Sequence, residues 1–164
     1  MEYSECYCRR KIESGDEKKL NALKGETMAV IALCQFDLTR CFGYPYTKDK
    51  GASLGAPLID HLVGTYENPP RSTVAQAYDF IIETLEEAVT LMSEEKNNGR
   101  MNKYAARALL ARIYLYHDDN RKAFDLADQL IKDADTSGSY ALYPHEKYVA
   151  AWSVEAKFGS ESFF

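Results

Sequence analysis

The sequence predicts an all-α fold, with helices in antiparallel pairs and one long irregular loop. Three observations carry the prediction. Apolar residues recur at helical spacing in four separate runs, and capping and turn residues stand between the runs. Four of the five prolines crowd into the connection between the first run and the second.

The first run lies in GETMAVIALCQFDLTRCFG, residues 25–43. Met28, Val30, Ile31, Leu33, Phe36 and Leu38 surround most of a helix expected over 26–42, with Gly43 as its stop. A helix apolar nearly all round calls for burial on several sides. Before it, residues 1–20 are polar and charge-dense, which reads as a frayed or linker-like start to a helical-repeat domain over 21–164.

The connection YPYTKDKGASLGAPLIDHLVGTYENPPR holds Pro45, Pro57, Pro69 and Pro70 and breaks any helix. Irregular connections this long are uncommon in a compact domain unless they do something, so it is the first place to look for a site. The second run, over 73–92, opens on Thr73 and Gln76 in capping-box spacing. Val74, Ala77, Tyr78, Ile81, Leu85, Ala88, Val89 and Met92 then follow on one face, and Asn97, Asn98 and Gly99 end the helix. Glu83, Glu86, Glu87, Glu94 and Glu95 suit a solvated face better than an acid/base pair.

Asn102 caps the third helix, over 103–117, whose Tyr104, Tyr114 and Tyr116 read as core. Asp118, Asp119 and Asn120 form the turn into a fourth helix ending near Asp133, with Ala123, Ala127, Leu130 and Ile131 inward. A short helix is expected around Glu146 to Trp152. The helices pair as first with second and third with fourth, since neither hairpin can bury its apolar face alone. Leu110, Ala111 and Tyr114, with Ala123 after the turn, make the pairs tetratricopeptide-like, although Arg107 stands at the tryptophan position of that pattern.

The 164 residues allow one ordinary domain, which buries roughly two-thirds of the surface its unfolded form exposes. A formal net charge of -5, with Lys and Arg scattered, argues against a nucleic-acid partner, because phosphate binding needs a basic stripe. No apolar run reaches the roughly 18 residues of a membrane span, so no transmembrane segment is expected. The N-terminal MEYSECYCRRKIESGDEKK lacks the apolar core of a signal peptide and a lipidation site.

Cys34 and Cys41 lie about two helical turns apart, roughly 10 Å, beyond disulfide reach. Cys6 and Cys8 lack a second pair at zinc spacing, and His61, His117 and His145 sit in separate segments. No metal, cofactor or catalytic residue is expected. GASLGAP lacks the Gly-Lys-Ser/Thr ending of a phosphate loop, and no Gly-x-Ser-x-Gly elbow occurs.

Four stretches in order resemble the SusD/RagB family of outer-membrane glycan-capture lipoproteins. They are GETMAVIALCQFDLTRCFG, PRSTVAQAYDFIIETLEEAVTLM, GRMNKYAARALLARIYLY and AFDLADQLI. The likeness runs from about Leu20 to Phe164, with Ile31 where the family has an arginine. Family members are longer, so the resemblance implies an internal fragment or truncated member. It also implies a non-catalytic binding protein on the outer leaflet of the outer membrane, which holds an oligosaccharide for a TonB-dependent transporter.

Aromatic rings bind sugars by covering the C–H faces of pyranoses, which makes the loop residues Tyr44, Tyr46 and Tyr66, together with Trp152, the candidate ligand contacts. Most ligand contacts in the family come from segments outside this chain, and the chain alone is expected to bind glycan weakly. The alternative reading is a helical-repeat adaptor that binds a protein or peptide in its groove.

Overall fold

The computed structural model describes residues 16–59, 61, 63–96, 99–149 and 159–161. Four helices dominate. Helix α1 (Glu17–Phe42) packs against α2 (Val74–Leu91), α3 (Lys103–Tyr116) against α4 (Asn120–Ser137), and α2 against α3, so the two expected hairpins form and stack.

Helix α1 starts inside the segment expected to be frayed, well before Glu26. The Asp16 carboxylate caps it by accepting the Lys18 N–H at 3.2 Å and the Lys19 N–H at 3.5 Å. Its polar first turns are tied down from elsewhere: Lys24 pairs with Glu87 at 3.1 Å, and Arg100 Nε reaches both oxygens of Glu26, at 3.2 and 3.0 Å. Periodicity cannot reveal such partners.

Only one face of α1 is buried. Met28, Ala29, Ala32 and Phe36 enter the core, whereas Leu23, Val30 and Leu38 stay 41–49% exposed, so burial on several sides does not occur among the described residues. Gly25 brings the two helices close. A Cβ there would stand 2.7 Å from the Met92 Cγ and 2.9 Å from the Ala88 carbonyl oxygen.

Helix α2 carries the expected capping box: Thr73 Oγ1 accepts the Gln76 N–H at 3.2 Å, and Gln76 Oε1 accepts the Thr73 N–H at 2.9 Å. Its stripe is buried as expected, Val89 only partly. The helix stops at Leu91, sooner than the 97–99 turn, because Met92 goes extended and buries its side chain beneath Gly25. Residues 97 and 98 lie outside the described residues.

Asn102 caps α3, its Oδ1 accepting the Ala105 N–H at 3.0 Å. Helix α4 runs beyond Asp133 to Ser137 and stops at Gly138. Ala123, Leu130 and Ala134 face inward and Ala127 is half-buried, but Ile131 is 68% exposed. One residue past Leu130 is a turn of about 100° away from the buried stripe.

The long connection is less irregular than its prolines imply. It holds a one-turn 3-10 helix at Tyr46–Lys48 and a two-stranded antiparallel sheet, β1 (Leu54–Pro57) with β2 (Arg71–Thr73), pairing Leu54 with Thr73 and Pro57 with Arg71. Gln35, buried in α1, donates to the Pro57 carbonyl at 3.2 Å and fastens the loop to the core. Near the C-terminus a 3-10 turn lies at His145–Lys147, at the start of the expected short helix, and residues 150–152 of that helix, Trp152 included, lie outside the described residues.

Candidate functional site

Where α1 ends, the chain turns through Gly43 and lays Tyr44, Pro45 and Tyr46 beside the last turn of α3. These residues, with Thr39, Arg40, Tyr78 and Tyr116, line a slot of about 150 Å³. Two expected contacts, Tyr44 and Tyr46, are thus brought together. Tyr66 is not: it is 96% exposed in the 64–67 turn, where the Glu67 carboxylate meets the Gly64 N–H at 3.0 Å and His61 Nε2 at 2.7 Å.

Gly51 sets the position of Tyr46. Its φ of +76° is left-handed, and a Cβ there would lie 2.6 Å from the Ala75 nitrogen and 2.8 Å from Tyr46 Cε2. The loop therefore lies flat on the start of α2, fixed by the Ala75 N–H donating to the Gly51 carbonyl at 2.9 Å. Arg71 closes the far side, donating through Nε to the Gly55 carbonyl at 2.8 Å and through Nη2 to the Leu54 and Phe42 carbonyls at 3.0 and 3.4 Å. The Phe42 carbonyl is one of the free acceptors at the end of α1.

The slot has a connected aromatic floor. Tyr46 meets Tyr78 edge-on at 5.6 Å between ring centroids, Tyr78 meets Phe36 at 6.2 Å, and Phe36 meets Tyr116 at 5.3 Å and 90°. His117 closes the cluster at 4.2 Å from Tyr46, with Nδ1 buried and unpartnered among the described residues. Burial pushes the Tyr78 hydroxyl up to about 12, with the nearby Arg40 cation opposing and Tyr116 adding to the rise.

Two cations stand at the slot. Arg40 Cζ lies 5.2 Å from the Phe36 ring centre and 5.0 Å from that of Tyr116, and Lys48 Nζ lies 3.1 Å from that of Tyr44. One Arg40 nitrogen meets Asp37 at 3.2 Å in an exposed pair. The rest of the guanidinium makes no hydrogen bond among the described residues.

Sequence reasoning missed Arg40 and Tyr116. Tyr116 was expected in the core, yet it is 44% exposed, unlike Tyr104 and Tyr114, which are buried as expected. The signal available was its place as the last residue before the His117 turn, where a helix face passes out of its neighbours' cover. The glutamates on the solvated face also do more than expected: Tyr114 donates to Glu86 at 2.6 Å, and Lys103 pairs with Glu94 at 3.0 Å.

A larger cleft of about 620 Å³ lies between the start of α1 and the α2–α3 connection. Among the described residues no aromatic ring lines it, and Glu26 and Arg100 in its wall neutralise one another. Among the described residues no three potential metal ligands gather, and no helix is long and apolar enough to cross a membrane.

Comparison with known proteins sharpens what this geometry belongs to. A SusD-like family model, described as starch-binding associating with outer membrane, matches residues 9–115. A solved SusD superfamily protein from Bacteroides thetaiotaomicron is 42% identical, with a TM-score of 0.85 over 93% of this chain and 32% of its own. A second, from Bacteroides vulgatus and provisionally named as a sugar binding protein, is 40% identical, with a TM-score of 0.83 over 92% of this chain and 34% of its own. A third, a SusD-like carbohydrate binding protein from the same species, is 24% identical with a TM-score of 0.74 over 88% and 30%, a likeness of fold alone. The chain spans about a third of the length of these structures. No curated protein matches it.

Proposed function

The chain belongs to the SusD-like family, and from that premise we propose that it serves non-catalytic capture of oligosaccharides at the bacterial outer membrane, for delivery to a TonB-dependent transporter. One observation carries the reading: about 40% identity, over more than nine-tenths of the chain, to a protein named for sugar binding. The geometry is consistent in kind. Binding here needs shape, stacking and hydrogen bonds, and the Tyr44–Tyr46 slot offers rings and a guanidinium.

Within that function the two helix pairs act as scaffold, and the slot at the end of α1 is a minor contact. Affinity electrophoresis of the native-length protein through gels loaded with a panel of neutral and acidic polysaccharides tests the reading. Retardation on at least one glycan is expected, and unchanged mobility on all of them sinks it. The 164 residues alone are expected to be retarded weakly, because the matching structures are about three times as long.

A second reading, a helical-repeat surface for a protein partner, has its own supporting feature. Leu23, Val30 and Leu38 form an exposed apolar stripe on the face of α1 turned away from α2. Co-purification of a protein partner that withstands high salt, and is lost on placing aspartate at Val30, would favour it.

A further inference from the structure

We propose that the slot at the end of α1 selects an anionic saccharide unit, its ring against the Tyr44–Pro45–Tyr46 wall and its acid group on Arg40. The inference rests on the glycan-binding reading and names the class of sugar that this one slot takes.

Size sets the first limit. At about 150 Å³ the slot is half the lower bound of roughly 300 Å³ for sites that enclose a drug-sized ligand, so it suits one sugar ring rather than a chain of them. The walls are tyrosine and proline, which present flat apolar surface with hydroxyls at the edges.

Charge sets the second. The protein is acidic, with 25 Asp and Glu against 20 Lys and Arg, yet among the described residues no carboxylate lines the slot. The charges that face its rings are Arg40 and Lys48, each held over a tyrosine. Two acids beside these cations carry hydrogen bonds of their own: Asp37 meets a single Arg40 nitrogen, and one Asp49 oxygen accepts from Ser53, a bond that holds its carboxyl below the usual range. Arg40 therefore keeps donors free for a planar acid group, and a guanidinium fork fits a carboxylate or sulfate better than a neutral hydroxyl. A neutral hexose would leave that fork to water.

Titration of the 15N-labelled chain with glucuronate, glucose 6-sulfate and glucose, followed by amide shifts, tests the proposal. Glucuronate or the sulfate is expected to shift residues 39–46 and 116, with affinity about tenfold above glucose at low salt and falling as salt rises. Which of the two anions binds more tightly identifies the acid group. Arg40→Gln is expected to lower the affinity for the anion about tenfold, and Lys48→Gln to lower it by less; both side chains are exposed, so the fold tolerates the changes.

Equal binding of glucose overturns the charge selection, and shifts confined to another part of the molecule overturn the site. No shift with any of the three sugars overturns the slot proposal. The glycan-capture reading stands or falls separately, on retardation of the native-length protein.

Discussion

Tyr114 and Tyr116 stand two residues apart on α3 and belong to different regions of the molecule. Tyr114 is 5% exposed, sealed in the helix–helix core with its hydroxyl on Glu86, and both burial and that hydrogen bond push the hydroxyl's pKa upward. Tyr116 is 44% exposed, edge-on to Phe36 and covered by Arg40 at the mouth of the slot. At Tyr114 the one polar atom of the side chain is assigned to a group of the protein's own. At the slot the rings are fixed by one another, and cations with spare donors face outward. That contrast is what distinguishes a scaffold from a surface able to take a ligand.

The largest effect should come from the core. Leu85 is fully buried in the main core, and Leu85→Ala is expected to cost about 2–5 kcal/mol in urea denaturation, through lost transfer energy and the cavity left behind. The same truncation at Ile131, exposed on α4, should stay within about 0.5 kcal/mol. A comparable loss at both positions would mean that something covers α4, and the division between core and surface would have to be redrawn.

Tyr78 lies on the boundary, with its ring in the core cluster and its edge at the slot. Its hydroxyl is raised from 10.0 to about 12 by burial. Below pH 10 both folded and unfolded chains carry the neutral form, so the stability is fully present there. Above pH 10 the unfolded chain ionises first, and on the order of 2 kcal/mol is lost as pH approaches 12. Denaturation at pH 9 and pH 11.5 should show this loss, and Tyr78→Phe should remove much of the difference. A flat profile in the parent would place the hydroxyl in water, and so on the slot side.

How far the sequence could anticipate these regions follows from what each depends on. Helix α2 was legible to its first residue, because Thr73 and Gln76 cap it locally and the residues from Val74 to Ala88 that are buried recur at helical spacing. The start of α1 was not, since Glu17 to Lys24 show no apolar period, and Lys24 and Glu26 are held by Glu87 and Arg100 far along the chain. The same limit applies at the slot. Tyr44 and Tyr46 stood out as loop aromatics, but nothing local says that Tyr116 and Arg40 meet beside them, and nothing signalled the short sheet that Arg71 clamps. Periodicity reports which face of a helix is buried; it does not report which end a distant loop reaches.

A smaller test concerns the second cluster, where Tyr104, Leu130, Ala134 and Tyr140 pack below the main core. Asn102 caps α3 and also donates to the Tyr140 hydroxyl at 2.6 Å. Asn102→Ala should cost about 1–2 kcal/mol, read as a lowered Tm, with the loss divided between the cap and the hydrogen bond to Tyr140. A loss under about 0.5 kcal/mol would show this end of the molecule to be loosely joined to the rest.

The smallest expected effect on stability is also the most informative about function. Tyr44 is 58% exposed and its ring contacts a solvated lysine, so Tyr44→Ala removes little buried area and should change stability by no more than about 0.5 kcal/mol. If the slot is a ligand surface, the same change should still weaken binding of the sugar that fits it, because a stacking wall is lost while the fold stays as it was. Calorimetric denaturation and a sugar titration on one preparation separate the two quantities. Unchanged stability with weakened binding assigns Tyr44 to ligand. Unchanged binding, or a stability loss of the size seen for Leu85→Ala, would return Tyr44 to the scaffold with Tyr114 and remove the contrast between the two regions.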